Sequence, residues 1–145
     1  MAEVRVLLVE DQTVVREGIR QLIESEPDMA VAGEAGTVAD AITLARRTKP
    51  DVVLLDLKLP DGSGLTAAKA MLAEPDPPAV LVLSTYEDVA LVRAVLDMGA
   101  SGYIPKSASF QEIAGAVRAA AAGSVVLHPS LAGRLARSGG AGDDL

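Results

Sequence analysis

At 145 residues, with a net charge of −7 and no cysteine, the chain is the size of one domain with room for a real core, and disulfide scaffolds and thiolate metal sites are excluded. Its acidity argues against gripping nucleic acid unaided, because that grip rests on Lys and Arg neutralising phosphates. No apolar stretch approaches the roughly 20 residues of a membrane span, and the N-terminal MAEVRVLLVE is unlike a signal peptide, so a cytoplasmic location without membrane association is expected.

Val4 to Val9 is an apolar run broken only by Arg5, a first strand ending at the adjacent acids Glu10 and Asp11. From Thr13 the apolar period becomes helical, with Val15, Ile19, Leu22 and Ile23 on one face and Arg16, Arg20 and Glu24 off it, until Pro27. Met29 to Ala35 reads as a second strand. Thr37-Val-Ala-Asp40 resembles a capping box with Asp in place of Glu and opens a helix to about Thr48. Val52 to Leu55 is continuously apolar, the pattern of a strand covered on both faces, and it gives way to Asp56 before Pro60 and Gly62 break the chain.

A third helix is expected near Leu65 to Ala73, closed by the proline-bearing stretch before Ala79. Ala79 to Leu83 is a fourth strand ending in Ser84-Thr85-Tyr86. A helix follows near Asp88 to Met98. Gly102 to Lys106 makes a short fifth strand, and Ser109-Phe-Gln-Glu112 is an S-x-x-E capping box for an alanine-rich helix running to about Ala122. Phe110, just inside that helix, reads as a local packing residue. Its small residues Ala114, Gly115 and Ala119 suit either a close helix-to-sheet contact or a twin subunit. Beyond Gly123 the alternation breaks: Ser124 to Leu127 is followed by a short amphipathic helix at about 129–137, with Leu131 and Leu135 one turn apart, and a tail flexible by composition.

Strands alternating with helices predict a flavodoxin-like, doubly wound, five-stranded parallel sheet in the order 2-1-3-4-5, with helices on both faces. The strand ends are all polar: Glu10 and Asp11, Asp56, Ser84, Lys106. In that order the first and third strands flank the switch point, where ligands of open α/β sheets bind, so Asp11 and Asp56 share one crevice with Ser84 and Lys106 beside them. Two carboxylates about 4 Å apart repel by about 4 kcal/mol at an effective dielectric of 20, so the cluster should hold a proton or a cation. Oxygen-only donors favour Mg²⁺, or Mn²⁺, over zinc.

Carboxylates, a hydroxyl and a lysine around such a cation are equipment for handling a phosphoryl group, with Asp56 a candidate nucleophile. The plainer alternative, that Asp56 only satisfies turn donors, must explain the other three strand ends. P-loop, G-x-G-x-x-G and G-x-S-x-G motifs are absent. His128, the single histidine, lies outside the set and reads as structural or exposed.

The motifs L-L-V-E-D, D-V-V-L-L-D-L-K-L-P-D-G-S-G, the strand-end Ser84 and G-Y-I-P-K-S together resemble the receiver domain of bacterial two-component response regulators over residues 1 to about 122. The resemblance implies that Asp56 accepts a phosphoryl group from a sensor histidine kinase and binds Mg²⁺ with Asp11 and the backbone carbonyl of Lys58. It further implies that Glu10 helps through water, that Lys106 and Ser84 contact the phosphoryl group, and that Tyr103 is the switch aromatic paired with Ser84. Tyr86 stays open between switch partner and plain loop residue. Family members often carry Thr at the Ser84 position and Pro after the lysine. Here Ser107 follows Lys106, and a cis Lys106–Ser107 bond is expected in spite of its cost of about 3 kcal/mol.

Within residues 123–145, the segment Val125 to Arg137 with the glycine-rich end after it is similar to the linker of the NarL/FixJ subfamily, which implies a helix-turn-helix output domain missing from this chain, DNA contact only through that domain, and a homodimer formed on phosphorylation. A stand-alone receiver acting by protein contact is the alternative. A Mg²⁺-dependent phosphohydrolase using an aspartyl phosphate is a second class, although Asp56-Leu57-Lys58 lacks the second acid of D-x-D. A flavin-binding module comes last, because only three aromatic residues are present to stack a ring. On these grounds self-phosphorylation is expected, without the turnover of an enzyme.

Overall fold

The computed structural model describes residues 3–85 and 88–143, apart from the side chains of 138–143. Tyr86 therefore lies outside the described residues. In chain order the elements are β1 (Val4–Val9), α1 (Thr13–Ser25), β2 (Met29–Ala35), α2 (Val38–Thr48), β3 (Val52–Leu55), β4 (Lys58–Leu59), β5 (Gly62–Ser63), α3 (Gly64–Leu72), β6 (Ala79–Ser84), α4 (Val89–Asp97), β7 (Gly102–Pro105), α5 (Phe110–Ala121), β8 (Val126–Leu127) and α6 (Pro129–Asp143).

The main sheet is parallel, in the order β2-β1-β3-β6-β7-β8. Its first five members reproduce the doubly wound order expected. The sixth is an addition: after α5 the chain returns along β7, Val126 donating its N–H to the Ser101 carbonyl at 2.6 Å. A bare β7 would expose a row of unpaired backbone groups. Gly102 permits the approach, because a Cβ there would stand 2.2 Å from the Val126 carbonyl oxygen. β4 and β5 form a separate antiparallel pair just past Asp56.

Alternate residues of each strand divide the interior into two layers. Val6, Leu8, Val52, Leu54, Leu81 and Leu83 meet Ile19, Leu22 and Ile23 of α1 and Ile113, Ala114 and Val117 of α5. On the other face Leu7, Val9, Val53, Leu55, Val80 and Val82 meet α2, α3, α4 and one residue of α6. The small residues of α5 are thus accounted for at Ala114, which is 2 % exposed against the sheet, whereas Gly115 faces open space. Phe110 departs from its reading as a packing residue. It is 65 % exposed, because the side chain leaves α5 in the first turn, before the buried face begins.

Both caps form. Thr37 accepts from the Asp40 N–H, and Ser109 and Glu112 make the full reciprocal box. The helix expected at 129–137 extends to Asp143. Its Leu131 is buried in the same core layer as Val92, Val95 and Tyr103, and Arg93 of α4 donates to the Leu135 carbonyl at 3.1 Å. Leu131→Ala is expected to cost about 2 kcal/mol, the lower end for a buried leucine because only one turn of α6 is enclosed. Urea denaturation would show it as a lowered midpoint with an unchanged slope.

Candidate functional site

The site is assembled at the carboxyl edge of the sheet by register alone. Val9 lies opposite Leu55 in the β1–β3 pairing, and the Asp56 N–H donates to the Val9 carbonyl at 3.0 Å, so the residues after β1 and β3 emerge side by side. On the other flank Ser84 lies opposite Pro105, and the Lys106 N–H donates to the Ser84 carbonyl at 2.9 Å. The last apolar residues of these strands are buried, and the polar residues that follow are delivered to one crevice.

Within it Lys106 reaches across the sheet edge. Its Nζ donates to Glu10 Oε1 at 2.5 Å and to Asp56 Oδ2 at 3.1 Å. Glu10 and Asp56 are 3 % and 7 % exposed. Asp11 is exposed, yet it offers a carboxylate oxygen that lies, with one each from Glu10 and Asp56, in a set mutually within 4.8 Å. The second oxygen of Asp56 is held weakly, accepting the Lys58 N–H at 3.3 Å. Ser84 is fully buried at the end of β6.

Three carboxylates against one ammonium leave two negative charges in a crevice partly shut off from water. Burial pushes the Glu10 carboxyl above its ordinary 4.5; hydrogen bonds from Lys106 and the Gln12 N–H pull it back only in part, and the Asp56 charge adds to the rise. Burial pulls the Lys106 ammonium down, but the hydrogen bonds to Glu10 and Asp56 and their two charges together outweigh it and hold it above the usual lysine range. The two shifts have different leading causes: burial disfavours the charged carboxylate of Glu10, whereas at Lys106 the adjoining carboxylates favour the charged ammonium against burial. An oxygen-only donor set with two surplus negative charges fits a hard divalent cation.

This gives a pH prediction with a definite sign. In the window from 4.5 up to the raised Glu10 value the folded chain binds more protons than the unfolded one, so stability falls as pH rises. Without divalent metal, the urea midpoint is expected to be higher near pH 5 than near pH 7, and Glu10→Gln should flatten that difference. An unchanged slope in Glu10→Gln would place the effect elsewhere.

The expected cis bond is corrected. No peptide among the described residues is cis, so Lys106–Ser107 is trans. Without proline after the lysine, the trans amide is favoured by about 3 kcal/mol, and Lys106 reaches both carboxylates from it. Tyr103 is wholly buried in this structure, among the residues of the α4 face. Lys58 projects its side chain to solvent two residues past Asp56. His128 stands apart from the acids: its Nε2 is 2.7 Å from Glu112 Oε2 and its Nδ1 2.9 Å from Ser130 Oγ, which ties the start of α6 to the start of α5.

Two residues near the site carry work that the sequence did not disclose. Asp61, in the turn between β4 and β5, accepts the Val38 and Ala39 N–H groups at 2.7 and 3.2 Å and so caps α2 from 23 residues away. These bonds hold its carboxyl below the usual range. Gly64 sits where a Cβ would stand 2.2 Å from the Asp56 carbonyl oxygen. Neither role has a local pattern, because each partner lies in another segment; the D-G-S-G string signals only a turn.

A doubly wound parallel sheet carrying three acids and a lysine at its switch point defines an α/β protein whose work is done at the carboxyl edge of its strands. Residues 6–118 match the model of the response regulator receiver domain, and the chain belongs to that family. It is 38% identical over 133 residues to the uncharacterized transcriptional regulatory protein YxjL of Bacillus subtilis, covering 92% of this chain and 61% of that protein. It is 39% identical over 133 residues to the DNA-binding transcriptional activator DevR/DosR of Mycobacterium tuberculosis, covering 91% and 61%. Among solved structures, the LuxR-family two-component response regulator from Aurantimonas sp. SI85-9A1 superposes with a TM-score of 0.89 at 34% identity, covering 94% of this chain and 98% of that one. The chain thus spans about three fifths of the length of the curated relatives it matches. The two curated relatives are named as transcriptional regulators, and the superposed structure as a LuxR-family response regulator. No helix among the described residues is long and apolar enough to cross a membrane.

Proposed function

We propose that this receiver takes a phosphoryl group onto Asp56 from the phosphohistidine of a sensor kinase, in the cytoplasm, and passes the change to an output. The observation that carries the proposal is the contact of one ammonium, Lys106 Nζ, with both Asp56 and Glu10. Asp56 attacks in line at phosphorus with a carboxylate oxygen, the phosphorus–nitrogen bond of the donor breaks, and an acyl phosphate forms while the proton-bearing imidazole departs. Lys106 is already placed against the attacking carboxylate, where it balances charge on the phosphoryl oxygens. Glu10, Asp11, Asp56 and the Lys58 carbonyl would hold Mg²⁺, or Mn²⁺, which supplies charge neutralisation for the transferring group. Ser84, buried at the end of the adjacent strand, supplies a hydroxyl to the phosphoryl oxygens.

The readout is assigned to Ser84 and Tyr103. Because the ring of Tyr103 is enclosed here, the inward position belongs to the state described, and any exposed position is a second state. Moving such an equilibrium from 1:99 to 99:1 takes about 5.5 kcal/mol, which the new phosphoryl contacts must supply. Homodimerisation on phosphorylation, and transcriptional control through a DNA-binding domain of the kind named for DevR/DosR, complete the reading.

The test is to incubate the chain with acetyl phosphate and Mg²⁺ and weigh it intact. One phosphoryl adduct mapping to the peptide that contains Asp56, and absent when EDTA replaces the metal, is expected. No adduct would overturn the proposal, and rapid multiple turnover of a free phosphate ester would replace it with a hydrolase.

A further inference from the structure

The turn that carries Glu10 and Asp11 is only three residues long, from the end of β1 at Val9 to the start of α1 at Thr13. Its third residue, Gln12, occupies the cap position of α1 without making a side-chain cap. The Gln12 N–H is satisfied by Glu10 Oε2 at 3.0 Å, so one of the site's own carboxylates is engaged in holding the turn. The Glu10 N–H donates to the Ala35 carbonyl at 2.9 Å. What remains is the Glu10 carbonyl, the oxygen of the peptide that joins the two acids, and whose plane sets where both side chains point.

That oxygen is taken by Arg16. Its Nη1 donates at 2.7 Å, a charge-assisted bond from one turn into α1. The guanidinium is oriented from the opposite side, its Nε standing 3.4 Å from Glu34 Oε1 near the end of β2. Gly36 leaves room for the assembly: a Cβ there would stand 3.4 Å from Arg16 Nη1 and 3.7 Å from the Asp11 Cα. The bonds of Arg16 go to the Glu10 carbonyl and to Glu34, not to the Glu10 or Asp11 carboxylate. It acts on the peptide between them.

We infer that Arg16 is a positioning residue for the acid-bearing turn, held in place by Glu34, and that the pair sets the divalent-cation affinity of the site. The inference rests on the reading of Glu10, Asp11 and Asp56 as the cation site. Groups that orient metal ligands from behind are generally worth about 10- to 100-fold in metal affinity. Since Arg16 holds a backbone carbonyl rather than a ligand atom, the lower end, about tenfold, is expected.

Titration of the full chain with Mn²⁺, the free ion followed by electron paramagnetic resonance, tests this directly in the absence of phosphodonor. Arg16→Gln is expected to weaken Mn²⁺ binding about tenfold, Arg16→Lys to recover part of the loss because it restores a charged donor without the second contact to Glu34, and Glu34→Gln to weaken binding in the same direction by a smaller factor. Thermal unfolding in EDTA, run alongside, separates this from a stability effect: a merely structural Arg16 would lower the melting temperature and leave the dissociation constant of the folded protein unchanged. Dissociation constants like the parent's in folded Arg16→Gln overturn the inference, and should that variant not fold, a parental constant in Glu34→Gln does so. A parent chain that fails to bind Mn²⁺ overturns the cation-site reading and this inference with it, an outcome distinguishable because it appears before any variant is compared.

Discussion

Asp56→Asn is expected to abolish the phosphoryl adduct formed with acetyl phosphate and Mg²⁺, with no residual species at the mass of one phosphoryl group. The amide oxygen is a poor nucleophile, and the charge that attracts both the cation and the ammonium is gone. The variant should nevertheless remain folded. Its side chain keeps the size and shape of the aspartate, Lys106 keeps its bond to Glu10, and one member of a repelling set of carboxylates has been neutralised. The denaturation midpoint without metal is therefore expected to be no lower than the parent's, and Mn²⁺ binding weaker. An adduct persisting in Asp56→Asn would move the acceptor to another residue, Asp11 being the exposed alternative.

Gly64→Ala is the second large effect, and it acts on the fold around the same residue. The added Cβ would stand 2.2 Å from the Asp56 carbonyl oxygen and 2.8 Å from the Leu57 Cα. Neither is the movable end of a side chain; both are backbone. Relief requires opening the Gly64 N–H to Leu57 carbonyl bond, 2.7 Å in the structure, or shifting the residue that bears the site. A cost of about 3 to 4 kcal/mol is expected from overpacking combined with the lost hydrogen bond. Urea denaturation measures it, and a loss under 1 kcal/mol would show that the loop relaxes. Residual folded Gly64→Ala should also phosphorylate slowly, because Asp56 is displaced along with its carbonyl.

The strands were legible because a sheet buried on both faces writes itself as apolar runs with abrupt polar ends. Val52 to Leu55 followed by Asp56 is the clearest case, and all four of those apolar residues are at most 3 % exposed. The grouping of Glu10, Asp11, Asp56 and Lys106 followed from order alone, once the switch point was placed between the first and third strands. Where the sequence was silent, the cause was length or chemistry. Val126 and Leu127 are too few to show a period, so β8 could not be distinguished from a loop. Phe110 looked apolar and therefore inward, but position within the first turn of α5 decided its exposure. Arg16 and Asp61 bond to main-chain groups, and a backbone carbonyl or N–H is the same whatever residue bears it. The trans bond after Lys106 reflects the same limit: the lysine's destination was readable, the route of its backbone was not.

The short ladder between β7 and β8 has a mechanical meaning. Gly102 and Tyr103 are paired with Val126 and Leu127, and α6 follows β8 with a single intervening residue, His128. A displacement of α6 is therefore expected to load β7, the strand directly before Lys106, through this two-residue ladder. A pull on α6 in a single-molecule experiment is expected to load the crevice before it loads β1 or β2, because β8 is hydrogen-bonded to β7 and not to those strands.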